Sequence, residues 1–259
     1  VDEHNWSLTP QAAKKILDEC DLRPVAVVVV APFGLFPDID KWEEFVKDTG
    51  IEVFIDAASV NIDDISMSYK IPIMVSLHAT KMLGAGEGGL ICCKDVAYLE
   101  KIKSLSNFGN SASGIINLGT NGKMSEYHAA VGLVGLDNWD DTNASLKVRC
   151  SRYRDNLKNT PSVKFLPGFG ETRFNVTSLI SGPQELERIL NDAGVETRKW
   201  WRSGCHLEPA FFDQKYSFPI TLHLSSHYLG LPMFQEIDLN AIDHVCEIIS
   251  NHSQDLIGL

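Results

Sequence analysis

The 259-residue chain contains no apolar run approaching the roughly 20 residues that a membrane-spanning helix requires. Its longest run, residues 25–32, has the length of a strand. Cysteine is sparse: six, with no CxxC pair. That excludes a disulfide scaffold, a zinc ribbon and a dithiol redox motif. The expectation is buried, reduced thiols, with the neighbours Cys92 and Cys93 pointing to opposite faces of a strand. Basic residues are in the minority, 23 Lys and Arg against 34 Asp and Glu, for a net charge of −11. There is no basic stripe, so no nucleic-acid partner is expected, and an anionic ligand would have to be held by local positive groups. His223 and His227 lie near carboxylates, but neither HExxH nor a paired-cysteine spacing is present. No metal is expected. The glycine-rich stretch 84–89 is not followed by Gly-Lys-Ser/Thr, which excludes a phosphate-binding Walker loop. A strand pattern follows it, which excludes the dinucleotide fingerprint. No secretory leader opens the sequence, so the Asn143 and Asn175 sequons read as chance matches and the expected location is the cytoplasm.

What is present is a globular composition, 44% apolar and 22% charged, enough for a large core. The first half alternates strand and helix signals. A helix is expected over 9–20, with Thr9 as cap and Pro10 at its first position. The valine run 25–30 reads as a strand buried on both faces. A helix capped by Asp38 or Asp40 and ended by Gly50 comes next, then strands at 51–55, 71–77 and 88–93 and a helix starting at Asp95. Ser125 opens a long helix to about residue 157, with a break near Asn138. Strands at 163–166, 174–180 and 195–201 and helices at 183–193 and 238–250 complete the pattern. The expected fold is α/β, a mostly parallel sheet between helices (residues 1–157), followed by a smaller α+β domain (158–259).

In open parallel sheets ligands bind beyond the carboxyl ends of the strands. Asp56 directly follows one strand, Ser76 and His78 end the next, and Lys81 lies just beyond, before the glycine-rich turn. A lysine and a carboxylate at neighbouring strand ends are the two groups that pyridoxal 5'-phosphate (PLP) chemistry demands: an amine for the aldehyde and an anion for the pyridine nitrogen. The bland alternatives are a turn-capping aspartate, a solvated lysine and a hairpin turn. His78 is expected to be a structural residue packed under the lysine loop. Trp6, Trp42 and Trp139 are expected to pack.

Ile55-Asp-Ala-Ala-Ser59, Ser76-Leu-His-Ala-Thr-Lys81 and Gly86-Glu-Gly-Gly89 form an ordered series. Asn107-Phe-Gly109, residues 120–130, Gly194-Val-Glu-Thr-Arg198 and Cys205-His-Leu-Glu-Pro209 continue it. Together they resemble the motif blocks of the DegT-type (DegT/DnrJ/StrS) sugar aminotransferases over nearly the whole chain. The resemblance implies a fold-type I PLP-transferase large domain and a homodimer with shared sites. It implies Lys81 as the lysine that bonds the cofactor and moves protons, Asp56 at the pyridine nitrogen and Ser59 near the ring. Ser76 would hold the phosphate, and Asn121 the phosphate of the neighbouring subunit's cofactor. The implied reaction moves an amino group, with glutamate as donor, to a nucleotide-linked keto-deoxysugar for surface polysaccharide or glycoconjugate synthesis.

Two positions depart from the family pattern. Ser59 stands where Gln or His is frequent, and Lys123 replaces the arginine of an Asn-x-Arg-Met block, losing the planar fork. Family members also carry an N-terminal section that has no counterpart here, so the chain is expected to be incomplete at that end. Arg198, Lys199 and Arg202 flank Trp200 and Trp201. They read either as a diphosphate and base contact or as the solvated face of an edge strand. His206, His227 and Tyr228 are further candidates for lining a sugar pocket. Two alternatives stand beside the transaminase: a catalytically inactive scaffold or dimer partner, and a PLP sugar dehydratase. The resemblance gives the dehydratases histidine in place of the lysine.

Overall fold

The computed structural model describes residues 1–19, 24–166, 169, 176–180, 182–200, 204–211 and 217–257. Its backbone divides into two compact units, one of residues 13–31 and 36–139, the other of residues 1–12, 32–35 and 140–259.

The first unit is built on a four-stranded sheet. Helix α1 (Pro10–Glu19) crosses the division and is capped by Thr9, whose hydroxyl accepts the Ala12 N–H at 3.2 Å. Strand β1 (Ala26–Val30) leads to helix α2 (Ile39–Thr49). Asp38 caps α2, and Gly50 ends it at φ +67°, a left-handed conformation that costs glycine nothing. Strands β2 (Glu52–Asp56), β3 (Ile73–Ser76) and β4 (Gly89–Cys92) complete the sheet in the order β1-β2-β3-β4. The first two pairings are parallel and the last antiparallel. Alternation along the strands turns Val29, Val53, Ile55, Ile73 and Val75 to one face, where all are buried. Helix α2 packs on β2 and buries Trp42 and Phe45 with ring centroids 5.2 Å apart.

The opposite face is different. Val28 and Val30 are 55% and 48% exposed, while Phe54, Asp56, Met74 and Ser76 are half-buried. The valine run is therefore buried on one face only. An unbroken β-branched stretch cannot tell a strand covered twice from an edge strand covered once.

Helix α3 (Val96–Leu105), capped by Asp95, leads to a short ribbon of β5 (Asn110–Ser111) and β6 (Gly114–Ile115). Helix α4 (Glu126–Asp137), capped by Ser125, and helix α5 (Trp139–Leu157) are separated at Asn138, the expected break. The compact units divide at 139/140, one helix earlier than the boundary expected near 158. The reason lies in what α5 holds. Arg149 Nε donates to the Ile237 carbonyl at 2.9 Å, and the buried Tyr153 donates its hydroxyl to the Pro232 carbonyl at 2.7 Å. Arg152 forks onto Asp243 at 2.6 and 2.5 Å.

The second unit pairs β7 (Val163–Phe165), β8 (Val176–Ile180) and β9 (Tyr228–Leu231) as an antiparallel sheet. Helices α6 (Pro183–Asp192), α7 (Pro219–His227) and α8 (Leu239–Ile257) accompany it, and α6 packs on α8. The strand expected over 195–201 is reduced to a single bridge, Arg198 to Gly230, among its described residues. Besides β7, the strand that pairs with β8 is Tyr228–Leu231, which the sequence reading left unassigned along with α7. Cys93, Cys150 and Cys246 are buried, and burial pushes the Cys246 thiol up to about 12. Cys205 is exposed, contrary to the expectation that every thiol is buried, because it starts a surface 3-10 turn.

Asp38 offers a test of how α2 is held. Its side chain caps the helix and lies 2.8 Å from Lys41, whose hydrogen bond holds the carboxyl below its ordinary range. Replacing Asp38 by Ala should cost about 1 kcal/mol in urea unfolding at neutral pH. A depressed folded-state pKa gives stability that is present above the unfolded value and lost as pH falls through the folded one. The Asp38→Ala penalty should therefore shrink below about pH 4.

Candidate active site

The first unit collects four of the expected residues at the carboxyl ends of β2 and β3. Asp56 is the last residue of β2 and pairs in register with Met74, two positions before Ser76. Asp56, Met74 and Ser76 therefore share the less covered face of the sheet. Asp56 is anchored through one oxygen, which accepts the Ala58 N–H at 3.0 Å. Its other oxygen has no hydrogen-bond partner among the described residues. The Ser76 hydroxyl accepts the His78 N–H at 3.3 Å, which leaves its own proton available for donation.

Lys81 lies in the loop between β3 and β4, and its ammonium donates to the Ser59 hydroxyl at 3.3 Å. This bond joins the loop after β2 to the loop after β3, so lysine, carboxylate and two hydroxyls converge on adjacent strand ends. The loop closes on itself. Leu77 N–H bonds Gly88 O at 3.0 Å, Ala79 N–H bonds Gly86 O at 2.7 Å, and Ala85 N–H bonds Leu77 O at 2.8 Å. Gly84 is required by that closure, since a Cβ there would stand 2.6 Å from the Ala79 carbonyl oxygen. Beneath it, Leu77, Leu83, Ala85 and Trp139 form a buried cluster, flanked by Ile62, Met82 and Met124. Trp139 donates its indole N–H to Asp63 at 3.0 Å. His78 is exposed, not packed underneath. It bonds Thr80 through Nδ1 at 3.0 Å and lies 3.5 Å from Glu87, bracing the loop from outside. Sequence reading placed it in the loop without finding Thr80 and Glu87 as its partners.

Asn121 belongs to the same unit but to a different segment, bridged to Asn107 across the ribbon that follows α3. It is exposed, and its side chain has no hydrogen-bond partner among the described residues.

The other expected residues belong to the second unit. Arg198 is 69% exposed and pairs with Glu196 at 2.9 Å. Trp200 is half-buried, its ring 5.5 Å from Phe33 and packed so closely on Gly230 that a Cβ there would collide with the indole. His206 meets Phe218 edge-on at 4.9 Å, and its Nε2 is buried without a hydrogen-bond partner among the described residues. Tyr228 is buried, its hydroxyl likewise without a partner among the described residues, and the His227 and His223 rings lie tilted with centres 4.4 Å apart. Arg198 and Trp200 line a groove of about 640 Å³ with His244, Met233 and Phe234, which sequence reading did not anticipate because its walls come from separate elements. Arg202 and Trp201 lie outside the described residues.

The donor set of the first unit fits PLP. The primary amine of Lys81 suits its aldehyde, the unpartnered oxygen of Asp56 suits a protonated ring nitrogen, and the hydroxyl of Ser76 suits its phosphate.

Comparison with known proteins gives the family. The profile of the DegT/DnrJ/EryC1/StrS aminotransferase family matches residues 1–250. The erythromycin biosynthesis sensory transduction protein EryC1 of Saccharopolyspora erythraea is 33% identical over 66% of this chain and 49% of its own length. A dTDP-4-amino-4,6-dideoxy-D-glucose transaminase of Shigella dysenteriae is 33% identical over 86% of this chain and 65% of its own. The chain thus spans about half to two thirds of the length of these relatives. Among solved structures, a putative PLP-dependent aminotransferase of Bacillus cereus superposes with a TM-score of 0.88 at 23% identity, covering 96% of this chain and 71% of that one. DesI, solved with its TDP-sugar product, gives 0.85 at 26% identity over 98% and 68%. With its motif residues gathered as described and the family profile matched over nearly its full length, the chain belongs to the DegT/DnrJ/EryC1/StrS aminotransferase family.

Proposed function

We propose that this chain serves a PLP-dependent transamination, in which an amino group, with glutamate as the expected donor, passes to the keto group of a nucleotide-linked deoxysugar. The product would feed surface polysaccharide or glycoconjugate synthesis in the cytoplasm. Aminotransferases of this family are PLP dependent. The observation that carries the reading is the Lys81 ammonium 3.3 Å from Ser59, in the loop that follows the Asp56 strand. The sugar class is supported by the dTDP-sugar transaminases of Shigella dysenteriae and Escherichia coli among the relatives, 33% and 29% identical.

When bound, the cofactor supplies an electron sink that makes the proton on the amine-bearing carbon acidic. The chain's residues do the rest. The unpartnered oxygen of Asp56 would keep a proton on the ring nitrogen, and Ser76 would donate to the phosphate. Lys81 Nζ would carry the proton from one carbon to the other, and Ser59 would hold that amine in place between transfers. The presence of Lys81 favours transamination over dehydration, for which the resemblance expects histidine. Arg198, Trp200, Arg202 and His206 are proposed to meet the nucleotide sugar.

A homodimer is part of the same proposal, since Asn121 is expected to serve the neighbouring subunit's phosphate. Its support is an exposed apolar surface. On α4, Leu133 and Val134 are 63% and 60% exposed, and beyond the ribbon Leu118 is fully exposed. Surfaces of this kind mark association sites in soluble proteins.

Two measurements test the proposal. After incubation with PLP and reduction with borohydride, peptide mapping should find the label on Lys81. Lys81→Ala should abolish it and lower turnover by about a thousandfold or more, while Asp56→Asn should keep the label and lose about a hundredfold in turnover. A label elsewhere, or none, would remove the cofactor assignment and leave a scaffold. In sedimentation velocity the chain should run as two copies, and Leu133→Arg should shift it towards one. A monomer at all concentrations would refute the shared site.

A further inference from the structure

We infer that Lys123 is a positioning residue that holds the segment from which Asn121 meets a phosphate. This inference rests on the reading above, that the chain holds PLP and that Asn121 meets a cofactor phosphate. Asn107 and Asn121 face each other across an isolated antiparallel bridge, so their side chains leave the ribbon on one side. Lys123, two residues further on, lies beyond the bridge and reaches back to it. Its ammonium donates to Asn107 Oδ1 at 2.6 Å and stands 5.5 Å from the centre of the Phe108 ring. Asn107 and Lys123, 16 positions apart in the sequence, are thereby tied together at the base of the segment that presents Asn121.

The backbone around this tie is unusual enough to need it. Phe108 holds φ +58°, a left-handed conformation that is uncommon for an aromatic residue. It follows Asn107, so the strained turn and the lysine's acceptor are adjacent. The segment carrying Asn121 is pinned before it by Phe108 N–H to Thr120 O at 3.0 Å and Thr120 N–H to Leu105 O at 2.8 Å. After it the pin is Gly122 N–H to Ser106 O at 2.8 Å. Gly122 brings no side chain to the contact, and the first side-chain tie after Asn121 is the Lys123 bond to Asn107. The tie asks for one donor on one oxygen and a charge over a ring face. An ammonium supplies both, so the planar fork of an arginine is not required here.

The affinities of PLP and of pyridoxal, the same ring without phosphate, measured on the whole chain, test this. Lys123→Met should weaken PLP about tenfold and leave pyridoxal unchanged, and Lys123→Arg should restore most of the loss. On an Asn121→Ala background, Lys123→Met should add nothing, because it acts through Asn121. An unchanged PLP affinity, an equal loss for pyridoxal, or an additive loss in the double variant would each overturn the inference. Failure of the unaltered chain to take up PLP on Lys81 is a separate result that removes the functional reading and this inference with it.

Discussion

The site depends on the closure of one loop. Residues 77–88 leave β3 and return as β4, and within them three backbone hydrogen bonds and the absent side chain of Gly84 fold the loop tightly enough to drive Leu77, Leu83 and Ala85 onto Trp139. Burial of that cluster fixes the loop as a rigid platform. The platform brings Lys81, a residue with high rotamer entropy, to the hydroxyl of Ser59. A lysine on a mobile hairpin would sample solvent. Here the apolar residues on one side of the loop restrict the charged one on the other.

The sheet supplies the second half of the arrangement. Parallel pairing of β2 with β3 brings two strand ends level, and the alternation of side chains turns Asp56 and Ser76 to the same face. The sequence made this much legible because each group announces itself locally. Asp56 and Ser76 end apolar runs, Lys81 precedes the glycines, and Thr9, Asp38, Asp95 and Ser125 cap the helices where polar residues precede apolar periodicity. The break at Asn138 was readable for the same reason.

What escaped sequence reading is what depends on distant partners. Val28 and Val30 look like residues of a fully covered strand, and only the strand order puts them at an edge. Arg198 looks like part of a strand, yet it makes one bridge, because Tyr228–Leu231 takes the place beside β8. The division between the units hangs on Arg149, Arg152 and Tyr153 reaching partners about 80 to 90 residues later, which no local window contains. Lys123 reads as the loss of an arginine, and its acceptor, Asn107, stands 16 residues earlier in the chain.

The uncovered side of β1 bears on how the molecule behaves at high concentration. Ala26–Val30 is five apolar residues long, carries neither charge nor proline, and stands at the end of the strand order. Natural sheets ordinarily guard such edges with lysine, proline or a bulge, because bare amide groups beside β-branched side chains recruit like strands from other molecules. Where nothing pairs with it, an edge of this composition is open to strands from other molecules. A single lysine on the solvent side, at Val28, would act as a gatekeeper without disturbing the Val29 side that the core depends on.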